Sequence, residues 1–298
     1  MGGGPFPIPS ARTARLAAAA LAGAWLLLSQ AGSALAADGP PACVGLEDGP
    51  LRTVTRVIDG ETLALDDGTE LRLIGALAPR AIDAGAQPGT WPMERAAADA
   101  LRALVLGSSI EIRFGGERGD RYGRLQGHAF LRTPEGARWV QGHLLEQGLA
   151  RAYTLGASRA CAPELLAAEN AARNAGQGIW AEAAYQVRSA DQPAALLRHL
   201  ATFQLVEGRV VHVAETRGRI YLNFAIDRRR GFSVSLKAAD RDRLGAYAAA
   251  PWGLERRQVR VRGWIERRGG PVIDLSAAGE LEVMTEVERL PARRPYPK

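Results

Sequence analysis

The stretch from Arg52 to Ala76 constrains the fold more than any other part of the chain. Three short runs rich in Val, Ile, Leu and Thr, "RTVTRVI", "TLAL" and "ELRLIGA", are separated by Asp59-Gly60 and by "DDGT". Asp-Gly pairs adopt the backbone conformations that tight hairpins require, so this text predicts three strands joined by two hairpin turns. "PMERAAADALRALVLG" follows, with Ala96, Leu101, Leu104 and Val105 at helical spacing, Pro92 in front and Gly107 behind. "SIEIRF" and "LQGHAFLR" read as strands around the turn-rich "GGERGDRYG", and "VQGHLLEQG" and "PELLAAENAARNAG" as two more helices. Three strands, a helix, two strands and further helices fit a small closed barrel. The expected fold class is mainly β with α (α+β): an OB-type five-stranded barrel with three helices.

The order of elements then returns. "FQLVEGRVVHV", "RIYLNFAI" and "GFSVSLK" predict strands, "ADRDRLGAYA" a short helix, and "RQVRVRGWIERR", "GPVIDLS" and "ELEVMT" strands again. A second OB-like β-barrel is therefore expected, repeating the pattern of elements but not the residues. The expected organisation is a first barrel over 51–183, a linker over 184–201 with helical tendency at "PAALLRHL", a second barrel over 202–287 and a disordered basic tail over 288–298.

Residues 1–37 read as a secretory signal peptide. Arg12 and Arg15 precede an apolar run from Leu16 to Leu28, and a small-x-small cleavage pattern ends at Ala36. The run is short for a membrane span. The mature protein is expected to be exported, periplasmic or secreted, with no stable span after cleavage. The chain has two cysteines, Cys43 and Cys161, both beyond the signal. Oxidising surroundings favour their closure into a disulfide, with two separate buried thiols as the alternative. Without CxxC spacing a zinc site is not expected.

A formal net charge of +6 and a pI near 9.8 favour anionic partners such as nucleic acid or another phosphate-bearing polyanion. From residue 200 onward about nineteen basic residues face twelve acidic ones, with Tyr221, Phe224, Phe232 and Trp264 interleaved. Two readings stay open there: a platform for single strands, or an aromatic core beneath a solvated basic surface. The histidines His128, His143, His199 and His212 show no metal-binding spacing. The composition does not fix an oligomeric state.

Four stretches in order carry a family resemblance: "VIDGET", "LRLIGALAP", "DRYGRLQGHAFL", and the pair "VQGHLLEQGLARAY" with "LLAAENAARNAGQGIW". Over about Leu51 to Ala181 the chain resembles the staphylococcal nuclease (thermonuclease) family. The resemblance implies an OB barrel with three helices and calcium-dependent cutting of DNA and RNA. It places Arg72 and Arg124 at the two phosphate-binding arginines. Their alternative role is to pair with acids such as Glu61 or Asp120. Asp59 and Glu61 fall at metal-ligand positions, although Asp59 also suits a hairpin turn and Glu61 stands where the family carries an aspartate.

The resemblance breaks at two places. Leu77 and Ala78 replace an acidic ligand and a hydroxyl-bearing neighbour, so any calcium would be held weakly. Arg80 replaces the catalytic glutamate, and a guanidinium cannot take a proton from water. Asp83 and Glu94 are the acids near enough in sequence to stand in. Three functions follow. The leading one is a thermonuclease-like binder of phosphate or nucleic acid with a degenerate site and weak or no hydrolysis. The others are an active calcium-dependent nuclease with a rearranged site, and a structural envelope module with a protein partner. Whether the chain is an enzyme is left open by sequence.

Overall fold

The computed structural model describes residues 1, 2, 4, 43, 45–87, 89–134, 136–154, 160–277 and 279–284. The expected signal peptide and basic tail fall outside these residues, save for Met1, Gly2 and Gly4. Residues 40–298 form one compact unit.

The first barrel begins with β1 (Glu47–Asp59), β2 (Thr62–Leu65), β3 (Glu70–Leu73) and β4 (Gly75–Leu77), followed by α1 (Glu94–Val105). It continues with β5 (Ser109–Phe114), β6 (Leu125–Thr133), β7 (Gly136–Trp139), α2 (Val140–Glu146), β8 (Arg151–Tyr153) and α3 (Ala162–Asn174). The hairpins lie where Asp-Gly put them. Asp59 Oδ1 accepts the Glu61 N–H at 2.8 Å, and Asp67 Oδ1 accepts the Thr69 N–H at 3.0 Å. Strand β1 pairs with β2 and, through its other edge, with β5; β2 pairs with β3, β5 with β6, and β3 runs parallel to β6. The five strands thereby close into a barrel. Ala97, Leu101 and Val105, four residues apart, turn the apolar stripe of α1 inward. Cys43 and Cys161 are joined in a buried disulfide, with 5.3 Å between their Cα atoms.

The next stretch differs from the expected linker. It folds as short 3-10 turns, β9 (Arg188–Ser189) and α4 (Pro193–Leu196). Tyr185, Ala190 and Leu196 are buried there, and β9 pairs parallel to the first strand of the next barrel. Weak periodicity in sequence reflected elements too short to show one, not a lack of order.

The second barrel comprises β10 (Phe203–Arg209), β11 (His212–Thr216), β12 (Arg219–Asn223), β13 (Ser233–Lys237), β14 (Gln258–Arg268), β15 (Gly270–Asp274) and β16 (Leu281–Val283). β10 and β11 act as one bent first strand: β10 pairs with β14 and β11 with β12. β12 pairs with β13, β13 runs parallel to β15, and β15 pairs with β14. This is the strand order of the first barrel again. The expected helix at "ADRDRLGAYA" is instead a 3-10 segment broken at Gly245, whose φ is 57°. Phe224 and Phe232 are core residues with ring centroids 5.0 Å apart, so they offer no stacking platform.

The barrels share a junction. Phe203 meets Tyr153 edge-on at 5.4 Å and Trp264 at 6.0 Å, within a cluster that includes Leu77, Ile179, Trp180 and Tyr185. Arg262 of β14 reaches across to Glu169 of α3 at 2.7 Å, and both side chains are fully buried. Arg262 Nη1 also donates to the Ala152 carbonyl at 3.3 Å. Among the described residues no helix is long and apolar enough to cross a membrane.

Candidate functional site

Strand alternation positions the first arginine. Leu71 and Leu73 are buried, so Arg72 between them turns outward from the barrel core. Glu61 follows the β1–β2 turn, and its carboxylate is fully buried. Arg80 lies just after β4, ahead of a 3-10 turn over Ala81–Ala84.

These three side chains meet. Glu61 Oε1 lies 2.8 Å from Arg72 Nη2 and 2.9 Å from Arg80 Nη1. Neither N–H points squarely at that oxygen, so the contacts are ion pairs rather than aligned hydrogen bonds. Glu61 Oε2 accepts the Ala78 N–H at 3.0 Å. Burial pushes the Glu61 carboxyl up; Arg72 and Arg80 offset part of that rise and Asp59 adds to it. On its other edge Arg80 grips Asp83 in a fork, Nε to Oδ2 at 3.0 Å and Nη2 to Oδ1 at 3.2 Å. Burial opposes the charged form of Arg80, but Glu61 and Asp83 outweigh it and raise its pKa.

Arg124 is held separately. The parallel register of β3 and β6, Leu71 against Leu125 and Arg72 against Gln126, brings its backbone to the same seam as Arg72. Its guanidinium pairs with Asp120 at 2.7 Å and lies 5.3 Å from the centroid of the Tyr122 ring. Asp120 Oδ1 also accepts the Tyr122 and Arg124 N–H groups, so one carboxylate shapes the whole "DRYGR" loop. The sequence left pairing with acids such as Glu61 or Asp120 as the alternative role; the contacts seen are Arg72 with Glu61, which is fully buried, and Arg124 with Asp120. Three guanidiniums here face four carboxylates: Asp59, Glu61, Asp83 and Asp120.

The acids that could stand in as a base are occupied. Asp83 clamps Arg80, and Glu94 accepts N–H groups of Ala81 and Gly89 across the intervening loop. One residue went unnoticed in the sequence. Arg151 of β8 is buried, donates to the Phe203 carbonyl of the second barrel, and lies 5.2 and 5.1 Å from the Tyr185 and Phe203 rings. With Arg80, Asp83, Trp91, Tyr185 and Phe203 it lines a cavity of about 70 Å³ between the barrels. Only the second barrel's docking makes that arginine distinctive, and nothing in "LARAY" signals it.

Residues 70–182 match the family of staphylococcal nuclease homologues. That stretch is a staphylococcal nuclease-homologue domain. No curated protein matches the chain. Arg72, Arg80 and Arg124 lie inside the matched nuclease-homologue stretch, whereas Asp59 and Glu61 precede it. The β1–β2 and β2–β3 hairpins nevertheless join β1 and β2 to the nuclease-homologue domain, and the register of the second, Thr62 against Arg72, delivers Glu61 to Arg72.

Proposed function

We propose that this is an exported nuclease-family protein that binds nucleic acid, or a similar phosphate-bearing polyanion, and hydrolyses phosphodiesters weakly or not at all. The observation carrying this reading is Arg80, fixed between Glu61 and Asp83 at the position where the resemblance puts the catalytic base. Hydrolysis needs a group that takes a proton from the attacking water. A guanidinium stays protonated, and losing general-base assistance costs about 10² to 10⁴ in rate.

The residues present do not fit calcium, which takes six to eight oxygen ligands. Glu61 is enclosed by two guanidiniums and a backbone N–H, Asp59 Oδ1 holds the Glu61 N–H, and Leu77 and Ala78 are buried and carry no side-chain oxygen. What remains is anion recognition: an incoming phosphate would compete with Glu61 and Asp120 for the guanidinium forks.

The test is plasmid degradation with calcium, comparing wild type with the Arg80→Glu/Leu77→Asp variant. Wild type should cut no faster than a chelated control, and the variant should gain measurable cutting. Vigorous wild-type cutting abolished by chelator would replace this reading with an active nuclease whose site is rearranged.

A further inference from the structure

We propose that the end of the second barrel formed by the β12–β13 loop and the β14–β15 hairpin is a docking corner for the phosphate backbone of a nucleic acid strand. The proposal rests on the nucleic-acid reading above and moves the grip from the first barrel to the second.

The corner is built from two loops pressed together. Asp227 organises the first: its Oδ1 accepts the Arg229 N–H at 3.0 Å, and its carbonyl accepts the Gly231 N–H at 2.9 Å. The second turns at Gly269, with φ 86°. A Cβ on Gly269 would stand 2.8 Å from the Arg229 carbonyl oxygen, and one on Gly270 2.3 Å from that of Gly231. Only glycine allows this approach, so the two loops present their side chains as one surface.

That surface is cationic and open. Arg228, Arg229, Arg230 and Arg267 are all exposed. Arg230 lies 4.0 Å from Asp227, and among the described residues the side chains of Arg228, Arg229 and Arg267 have no carboxylate partner. The neighbouring acids are taken: Arg268 holds Glu266 at 2.7 Å and Asp274 at 2.9 Å, and Arg219 also holds Asp274. Of these four guanidiniums only Arg230 has a carboxylate near it, the reverse of the balance around Glu61. Ile226 stands beside them, 92 % exposed. A single apolar side chain is a poor lipid anchor, because stable membrane attachment takes larger apolar area or a second signal. Exposed guanidiniums carried on two loops held against each other suit a run of phosphates, which they can meet while releasing counterions.

The experiment follows binding of the full chain to a labelled single-stranded oligonucleotide by fluorescence anisotropy across a salt series. Wild type is compared with an Arg228→Ser/Arg229→Ser/Arg230→Ser variant and with the matching triple Lys variant. The Ser variant should bind at least tenfold more weakly at low salt, and its log–log salt slope should be shallower by about 2. The Lys variant should keep the wild-type slope. Equal slopes for wild type and the Ser variant would overturn the corner and leave the proposed function standing. A Lys variant as weak as the Ser variant would also overturn an electrostatic grip. Absence of any wild-type binding would overturn corner and function together. In that case, pelleting with phosphatidylglycerol vesicles that depends on the same arginines would reassign the corner to lipid.

Discussion

The two barrels share one strand order, and the arginines of the first barrel's site and of the second barrel's corner are used in opposite ways. In the first, Arg72, Arg80 and Arg124 are turned toward carboxylates that consume their charge. In the second, Arg228, Arg229 and Arg267 project from loops into solvent with no acid to answer them among the described residues. A count of basic residues does not separate the two cases; the neighbours do. The barrels also differ between their third and fourth strands. The first has the amphipathic helix α1 there, whose first residue, Glu94, secures the Arg80 loop. The second has 3-10 turns there, one of them broken at Gly245. A closed five-stranded frame leaves chemistry to what hangs from it.

The largest expected effect lies at the junction that joins the barrels. Arg262 and Glu169 are both fully buried at the junction, and Glu169 also accepts the Ala152 N–H at 2.8 Å and pairs with Arg173 at 3.2 Å. Removing Glu169 leaves Arg262 its second partner, Glu282, but takes a partner from three groups at once: Arg262, Arg173 and the Ala152 N–H. Glu169→Ala should therefore lower unfolding stability by about 3 to 5 kcal/mol in urea titrations. Glu169→Leu combined with Arg262→Met should recover part of the loss. Separate transitions for two halves in the single variant would show that the barrels are stable alone. One shared transition would show that the junction makes them a single cooperative unit.

A second difference is titratable. In the first barrel His128 is buried, Trp139 Nε1–H donates to its Nδ1 at 3.2 Å, and burial pushes its pKa down to about 4. His212, in the second, is partly exposed beside Glu255. The unfolded chain takes up a proton near pH 6.5 that the folded chain refuses until about pH 4. Stability from His128 is complete above pH 6.5 and is lost as the pH falls through that window, by about 3 kcal/mol. The raised carboxyl of Glu61 acts in the opposite direction, so the measurement is a difference. A His128→Phe variant should lack this part of the acid-side loss, whereas His212→Phe should retain it.

Much of this architecture was legible because the strands of both barrels are rich in β-branched and aliphatic residues and are bounded by glycine-containing turns. The sign of Arg80 was equally legible, since it falls inside a recognisable run. Its partners were not. Glu61 reaches Arg80 only once the β2–β3 hairpin and the chain after β4 are folded against each other, and Asp83 was open to reading as a spare base until its fork on Arg80 was visible. The stretch over 184–201 hid its order because β9 is two residues long. The aromatics of the second barrel were ambiguous for a different reason. A segment with aromatics and arginines reads the same whether the rings face a ligand or the core, and burial places Phe224 and Phe232 in the core while Tyr221 and Trp264 stay half-buried.

The smallest expected effect tests the central contrast most directly. Arg80→Ala removes a guanidinium from a fully buried carboxylate, which keeps Arg72 and the Ala78 N–H. Asp83 loses its fork as well. The cost should be about 1 to 3 kcal/mol, the range for leaving a buried polar group short of a partner. Arg229→Ala removes an exposed side chain and leaves the backbone bond to Asp227 in place, so stability should change by no more than about 0.5 kcal/mol. In oligonucleotide binding the ranking should invert, with Arg229→Ala the weaker binder, because its charge is already free to meet phosphate. Chemical denaturation and anisotropy on the same two proteins check both halves. If Arg80→Ala proves the worse binder at unchanged stability, the first-barrel arginines are not consumed by their carboxylates, and the contrast between the barrels fails.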